Sequence, residues 1–540
     1  MERNEEVKTF PRWVLIASIV AITAAVYLST LGFDFVYDDH AQIVETKQLN
    51  SWRMIPHYFT GHVWSWKQPG SQGPYYRPVF LLWLLFNQVV FGTTAMWWHL
   101  TSVLTHCGVT LLVFVLVERL SGDRITACIA ALLFGVHPCH IESVAWVSGI
   151  TDPLMAALML GSLLTSRRWL SLVLFASALL EKESAIVLPV LVLLLPRQAK
   201  PTARPWAYFA VASIYLGVRE AVMHGFLLVI SPVSLWQMIA TWPSMLLFYL
   251  KRLVWPSGLT VFYTLGVVDR PDYVAVAILA AVAVGLGFWS WKSRVAAFAA
   301  ALLVLPILPV LNIRAFAHFE TVHDRYLYLP SIGFCILAAL ALQHLRDRRA
   351  QIAVAAGVTL AFAYGAVTQE QQWENNVTLF QRGIQLSPNN EIANQGMGTA
   401  LMLRNQPADA IPYYRRALEL QPNMIESNYS LGRAYEAVGM YREAEPYLLR
   451  ASQLNPRDPK PVLYYGVCEF NMGHLKEAET ILRQAIRMKG PDDYREYHLQ
   501  LGLVLEKEGD LTGARAEFEA EARENPDPSR ALSEISRLRQ

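Results

Sequence analysis

Charge is what this sequence has least of. Asp, Glu, Lys and Arg make up 17% of its 540 residues, against 54% apolar, where an average soluble protein carries about 25% charged. Cysteine is also scarce. Cys107, Cys128, Cys139, Cys335 and Cys468 are scattered without CxxC spacing, four of them in apolar segments. That pattern excludes a disulfide framework and a zinc site, and reads as small buried side chains. An excess of either sign is lacking too, at a formal net charge of +2. With no basic face, a nucleic-acid partner is excluded. No cleavable leader is evident: the first apolar run, Trp13 to Leu31, is long enough to span and has no small-x-small cleavage site.

The charges that are present lie unevenly. Up to Glu370 there are 26 Lys/Arg and 20 Asp/Glu in 370 residues; after it there are 20 and 24 in 170. The first part is written for lipid, the second for water. A bilayer core needs about 20 apolar residues per helix. Eleven segments read as spans, at roughly 12–31, 96–118, 125–142, 150–166, 168–181, 184–196, 205–222, 273–290, 295–312, 327–345 and 350–368. Two more are ambiguous: 78–92 is short, and 236–254 holds a proline and a Lys-Arg pair.

Short basic loops set orientation. They hold Arg119 and Arg124; Arg167 and Arg168; Arg197, Lys200 and Arg204; Lys292 and Arg294; and Arg346, Arg348 and Arg349. All fall on one side if the eleven segments span and the ambiguous two do not. The expectation is an inner N-terminus, long outer loops at 32–95, about 223–272 and 313–326, and a chain that emerges outside after residue 368. The first outer loop is rich in aromatics (Trp52, Tyr58, Trp64, Trp66, Tyr75, Tyr76), as suits the headgroup level.

From Glu391 the sequence repeats every 34 residues. Glycine recurs at Gly398, Gly432, Gly466 and, after a two-residue insertion, Gly502. Alanine follows twelve later at Ala410, Ala444, Ala478 and Ala514, and a bulky residue four beyond that at Tyr414, Leu448, Leu482 and Phe518. Pro422, Pro456 and Pro526 end units. This is the tetratricopeptide pattern, whose helix pairs stack into a concave solenoid that binds peptides or proteins. Tyr413, Asn428, Tyr435 and Tyr464 are expected to line that surface.

Four clusters in the apolar part carry chemistry. Asp38-Asp39 follows the first span by seven residues, and adjacent carboxylates repel, so one pKa should rise or a cation be held nearby. Such a group can act as a general base or a metal ligand. His137, His140 and Glu142 stand at the end of the third span, where ionisable groups are costly. Pro138 interrupts their helix, so phosphate or sugar contact suits them better than metal. Glu181-Lys182-Glu183 and His323-Asp324-Arg325-Tyr326 complete the set, with Arg77 in the first loop. Arg is suited to bidentate phosphate contact. Every cluster falls at the outer surface under the topology set by loop charge. That combination fits glycosyl transfer from a lipid-linked sugar phosphate. An Asp would deprotonate an acceptor hydroxyl as it attacks the anomeric carbon from the face opposite the phosphate, inverting it.

The runs GFDFVYDDHAQIVET, YYRPV at 75–79, HPCHIESVAWVSGITDPL at 137–154, LLEKESA at 179–185, LVWPSGL at 253–259 and HDRYLYLPSIGF at 323–334 resemble the transmembrane-and-tetratricopeptide protein O-mannosyltransferases. The resemblance implies an all-α chain, a polytopic GT-C-type membrane domain of about eleven spans followed by a tetratricopeptide solenoid. It also implies a polyprenyl-phosphate sugar donor and a protein hydroxyl acceptor on the luminal or periplasmic side. It carries a catalytic base onto Asp38 or Asp39, and phosphate-binding or site-shaping roles onto Glu142, Lys182 and Arg325. No cofactor is expected, since Arg and Lys can neutralise one phosphate; divalent-metal dependence stays open. The expected domains are 1–370, membrane; 371–390, linker and degenerate repeat helix; 391–528, four repeats; and 529–540, a C-terminal helix or tail. A bacterial inner-membrane protein with periplasmic repeats is expected, or an ER protein with luminal repeats in a eukaryote. The competing reading is a non-catalytic membrane scaffold whose repeats assemble envelope proteins.

Overall fold

The computed structural model describes residues 11–46, 51–65, 73, 75–196, 203–225, 231–316, 321–490, 493 and 495–538; Trp66, Arg197 and Lys200 lie outside them. Among the described residues every regular element is a helix. The chain divides into two compact units, Met1–Leu386 and Ser387–Gln540.

Among the described residues of the first unit, seven helices are long and apolar enough to cross a membrane: Arg12–Gly32, Ala95–Ser121, Val147–Leu164, Tyr273–Lys292, Arg294–Leu311, Asp324–Leu342 and Arg348–Trp373. An eighth span arises if Arg124–Gly135 and Pro138–Ala145, bent by 51°, count as one. The eleven expected segments are all helical, yet they do not supply eleven full-length spans. Arg168–Glu181 has 14 residues, about 21 Å at ~1.5 Å per residue, against a core of about 30 Å. Glu183–Leu194 is shorter still. Pro205–Met223 is long enough but carries Arg219 and Glu220. Of the ambiguous segments, Pro78–Phe91 has 14 residues, and Leu235–Val254 is a 20-residue helix with Pro243 inside and Lys251 and Arg252 in its last turn.

The bend at 136–138 positions the site. Pro138 has no N–H to continue the ladder, and the chain restarts as short helical turns, Pro138–His140, Ile141–Ala145 and Val147–Ile150, before Thr151–Leu164. Close helix contact fixes the surrounding frame. A Cβ on Gly333 would lie 2.3 Å from the Ala299 oxygen and 2.5 Å from the Leu303 nitrogen, so Tyr328–Leu342 meets Arg294–Val304 backbone to backbone, as small residues permit in membranes. The first unit runs through Leu386, so the expected linker helix, Asn376–Leu386, packs within it.

In the second unit, Glu391–Leu403 pairs with Pro407–Leu420, Ile425–Ala437 with Tyr441–Leu454, Pro459–Met472 with Leu475–Met488, and Tyr497–Glu508 with Leu511–Glu524; Ser529–Arg537 follows. The period has a steric cause. A Cβ on Gly398, Gly432, Gly466 or Gly502 would come within 2.4–2.8 Å of Tyr414, Leu448, Leu482 or Phe518, so each glycine admits the bulky residue of its partner helix. The turn inside each pair needs a left-handed residue, supplied by Asn405, Gly439, Gly473 and Gly509, with φ between 58° and 92°.

Candidate active site

The loop after the first helix returns its second aspartate into the protein. Asp39 is fully buried. Its Oδ1 accepts from the Ser148 amide at 2.9 Å and the Ser148 hydroxyl at 2.5 Å, and its Oδ2 from the Val36 amide at 3.1 Å. Burial pushes this carboxyl up to about 7; the three hydrogen bonds pull the other way, and the charge of Asp38 adds a smaller push. Asp38 itself is half-buried. The two adjacent acids therefore occupy different environments, which is how one site separates the roles of two carboxyls.

Ser148 belongs to the interrupted stretch after Pro138, and that stretch joins the other clusters. Glu142 is buried and accepts from the Arg325 amide at 3.0 Å and from its guanidinium. That guanidinium lies 5.5 Å from the Trp146 ring. Asp152 takes the Lys182 ammonium at 2.6 and 2.7 Å, with both side chains about 95% buried. Lys182 also lies 5.3 Å over Tyr326. Arg77 stacks on Tyr75 at 4.4 Å and pairs with Glu183 at 3.5 Å. Asp39, Glu142, Lys182, Arg325 and Tyr326 are thus linked through the segment 142–152, with Asp38 beside Asp39 and Arg77 paired to the residue after Lys182, and each of the three cations is paired with a carboxylate. Among the described residues, no three His, Cys, Asp or Glu groups are placed to hold a metal ion.

His137 and His140 take no part in that neighbourhood, contrary to expectation. The His137 Nδ1 accepts from the Cys139 amide at 3.2 Å and its Nε2 meets the Leu253 carbonyl at 3.0 Å. Both nitrogens are spent on bracing the bend. His140 is buried among Phe134, Tyr328 and His106 and bonds Ser331 at 2.8 Å. In the repeats, Asn428 is buried and donates to the Pro422 and Met424 carbonyls, while Tyr435 is buried and stacked on Tyr447. Packing occupies both, so neither lines an open surface. Tyr413 is half-buried, and Tyr464, also half-buried, lies under Arg433 at 3.5 Å.

Trp146, Ser148 and Asp152 join the site although none of them stands out in the sequence. All three lie in the run 137–154, whose histidines are its more conspicuous residues. Asp152 is the most readable signal of the three: an acid in the first turn of the apolar helix Thr151–Leu164, buried there, needs a cation, and Lys182 is that cation.

Protonation of Asp39 carries a pH signature. Its folded pKa of about 7 lies above the unfolded value of about 3.9. The folded state therefore holds a proton that the unfolded chain has released between those values. Stability falls as pH rises through that window and levels off above about 7, by an amount on the order of 4 kcal/mol. In Asp39→Asn this dependence disappears. Thermal melts of the reconstituted protein from pH 5 to 8 should show the melting temperature of the variant gaining on that of the wild type as pH rises; parallel curves would contradict the assignment.

A tetratricopeptide repeat family model matches residues 401–459 and 437–503. A protein O-mannosyl-transferase of Caenorhabditis elegans is 24% identical over 71% of this chain and 59% of its own. One of Mus musculus is 26% identical over 71% of this chain and 48% of its own. The chain thus spans about half the length of the curated relatives it matches. A tetratricopeptide protein of Thermus thermophilus with a crystal structure is 19% identical over 33% of this chain and 93% of its own, with a TM-score of 0.26. Over some seven-tenths of its length, then, this chain is a homologue of proteins named protein O-mannosyl-transferases, and it carries tetratricopeptide repeats.

Proposed function

We propose that this chain is a membrane glycosyltransferase that moves a sugar from a polyprenyl-phosphate donor to a protein hydroxyl. Mannose is the first sugar to test, because the homologues are named for it. Asp38 is the general base and Asp39 the buttress that fixes its loop. The acceptor oxygen forms its bond to the anomeric carbon as the bond to phosphate oxygen breaks. Its proton passes to Asp38, the bonding pair leaves on the phosphate, and the configuration inverts. A phosphate departs as an anion, so the second carboxylic acid used by many hydrolases is not needed.

One observation carries this reading. The carboxylate loop is bonded through Ser148 to the same short segment that orients Arg325 and Lys182. The Arg325 side chain is 17% exposed where its partner Glu142 is 3%, so the cation is the more open half of the pair. Arg325 and Lys182 receive the donor phosphate, and the repeats recruit the acceptor protein. Under this reading the site faces the periplasm or the ER lumen, opposite the basic loops, which requires the short helices Arg168–Glu181 and Glu183–Leu194 and the charged helix Pro205–Met223 to cross as well. The test is transfer of labelled mannose from synthetic polyprenyl-phosphate mannose to the Ser/Thr residues of envelope or luminal proteins, catalysed by full-length protein in nanodiscs. Label in protein supports the reading; donor left intact with every sugar tried opposes it.

A further inference from the structure

The Asp38-Asp39 loop is held from a second direction, by residues just before the repeats. The Asp34 amide donates to the Glu374 carbonyl at 2.9 Å. The Tyr37 amide donates to the Asn376 side-chain oxygen at 2.8 Å. Tyr37 has φ 54°, a left-handed conformation that bulky residues seldom adopt unless their surroundings impose it. Its ring lies 5.9 Å from Trp146, 5.9 Å from Phe262 and 6.2 Å from Phe380. Trp373 stacks on Trp146 at 5.9 Å. Residues 374–380 therefore hold the loop at two points, by a backbone bond at Asp34 and by the Asn376 amide and the Phe380 ring at Tyr37, the residue immediately before Asp38.

Resting on the proposed transferase reading, we propose that Asn376 is a positioning residue for the catalytic loop. By accepting the Tyr37 N–H it holds that residue left-handed, and so sets the direction in which Asp38 leaves the backbone. The helix Asn376–Leu386 is thereby part of the active-site frame as well as a connector. A base displaced by about 1 Å loses on the order of 100-fold in rate, whereas groups that bind the donor are untouched.

The experiment compares wild type, Asn376→Leu and Asn376→Asp as full-length proteins in nanodiscs. Asp keeps an acceptor oxygen at the same place; Leu removes it. Hydrogen exchange of peptides covering residues 33–40 reads the loop without any substrate, and transfer from polyprenyl-phosphate mannose reads the chemistry. Asn376→Leu should expose the loop amides and lower kcat about 10- to 100-fold with little change in donor KM, and Asn376→Asp should restore both. Unchanged exchange in Asn376→Leu overturns the proposal, whatever the activity. Faster exchange with unchanged kcat overturns it as well, as does failure of Asp to restore exchange. If wild type transfers no sugar from any polyprenyl-phosphate donor tried, the transferase reading fails, and the positioning role falls with it even where exchange shows Asn376 holding the loop.

Discussion

Asp38→Asn should reduce glycosyl transfer by about 100- to 10,000-fold while leaving the protein folded and inserted. That is the range lost when a positioned general base is removed, equivalent to about 3–5 kcal/mol of barrier. Asparagine keeps the shape and cannot take a proton, so donor binding should be nearly unchanged and the loss should fall on kcat. The environment argues for Asp38 over its neighbour. Asp39 is buried and committed to Ser148 and Val36, whereas Asp38 is half-buried. A kcat within threefold of wild type in Asp38→Asn would remove this aspartate from the chemistry.

The second large effect is at Lys182. Its ion pair with Asp152 is almost wholly buried, so removing one member leaves an uncompensated charge in a low-dielectric site. Lys182→Met should cost about 3–5 kcal/mol of stability, and Asp152→Asn a comparable amount. The double variant buries no unpaired charge and should cost clearly less than the sum, which a double-mutant cycle on melting curves reads directly. Transfer should behave differently. If Lys182 receives the donor phosphate, the double variant regains stability and keeps a raised donor KM. Recovery of both together would make the pair purely structural.

What the sequence made legible depends on how local each signal is. The repeat period follows from a contact made within one helix pair, glycine against the bulky side chain sixteen residues on, so the spacing alone reveals it. The aspartate pair is likewise a contiguous signal. Span count was less readable, because composition marks an apolar stretch without showing where a helix ends; Lys182, with extended backbone between Arg168–Glu181 and Glu183–Leu194, divides two short helices. Partnerships between distant segments left no local mark. The His137 brace to Leu253 and the Asn376 hold on Tyr37 connect residues 116 and 339 apart. Periodicity could not announce either. In the repeats, Asn428 and Tyr435 show the reverse problem, since polar side chains of types that suit a surface instead satisfy neighbouring backbone or pack against rings.

The most direct measurement is mass spectrometry of envelope or luminal proteins from cells lacking this chain, complemented with wild type or with Asp38→Asn. The expected result is a hexose-mass increment on Ser or Thr of specific proteins that returns with wild type and not with Asp38→Asn, at equal expression. Identical glycan profiles in all three cell lines would contradict a transferase and favour a scaffold.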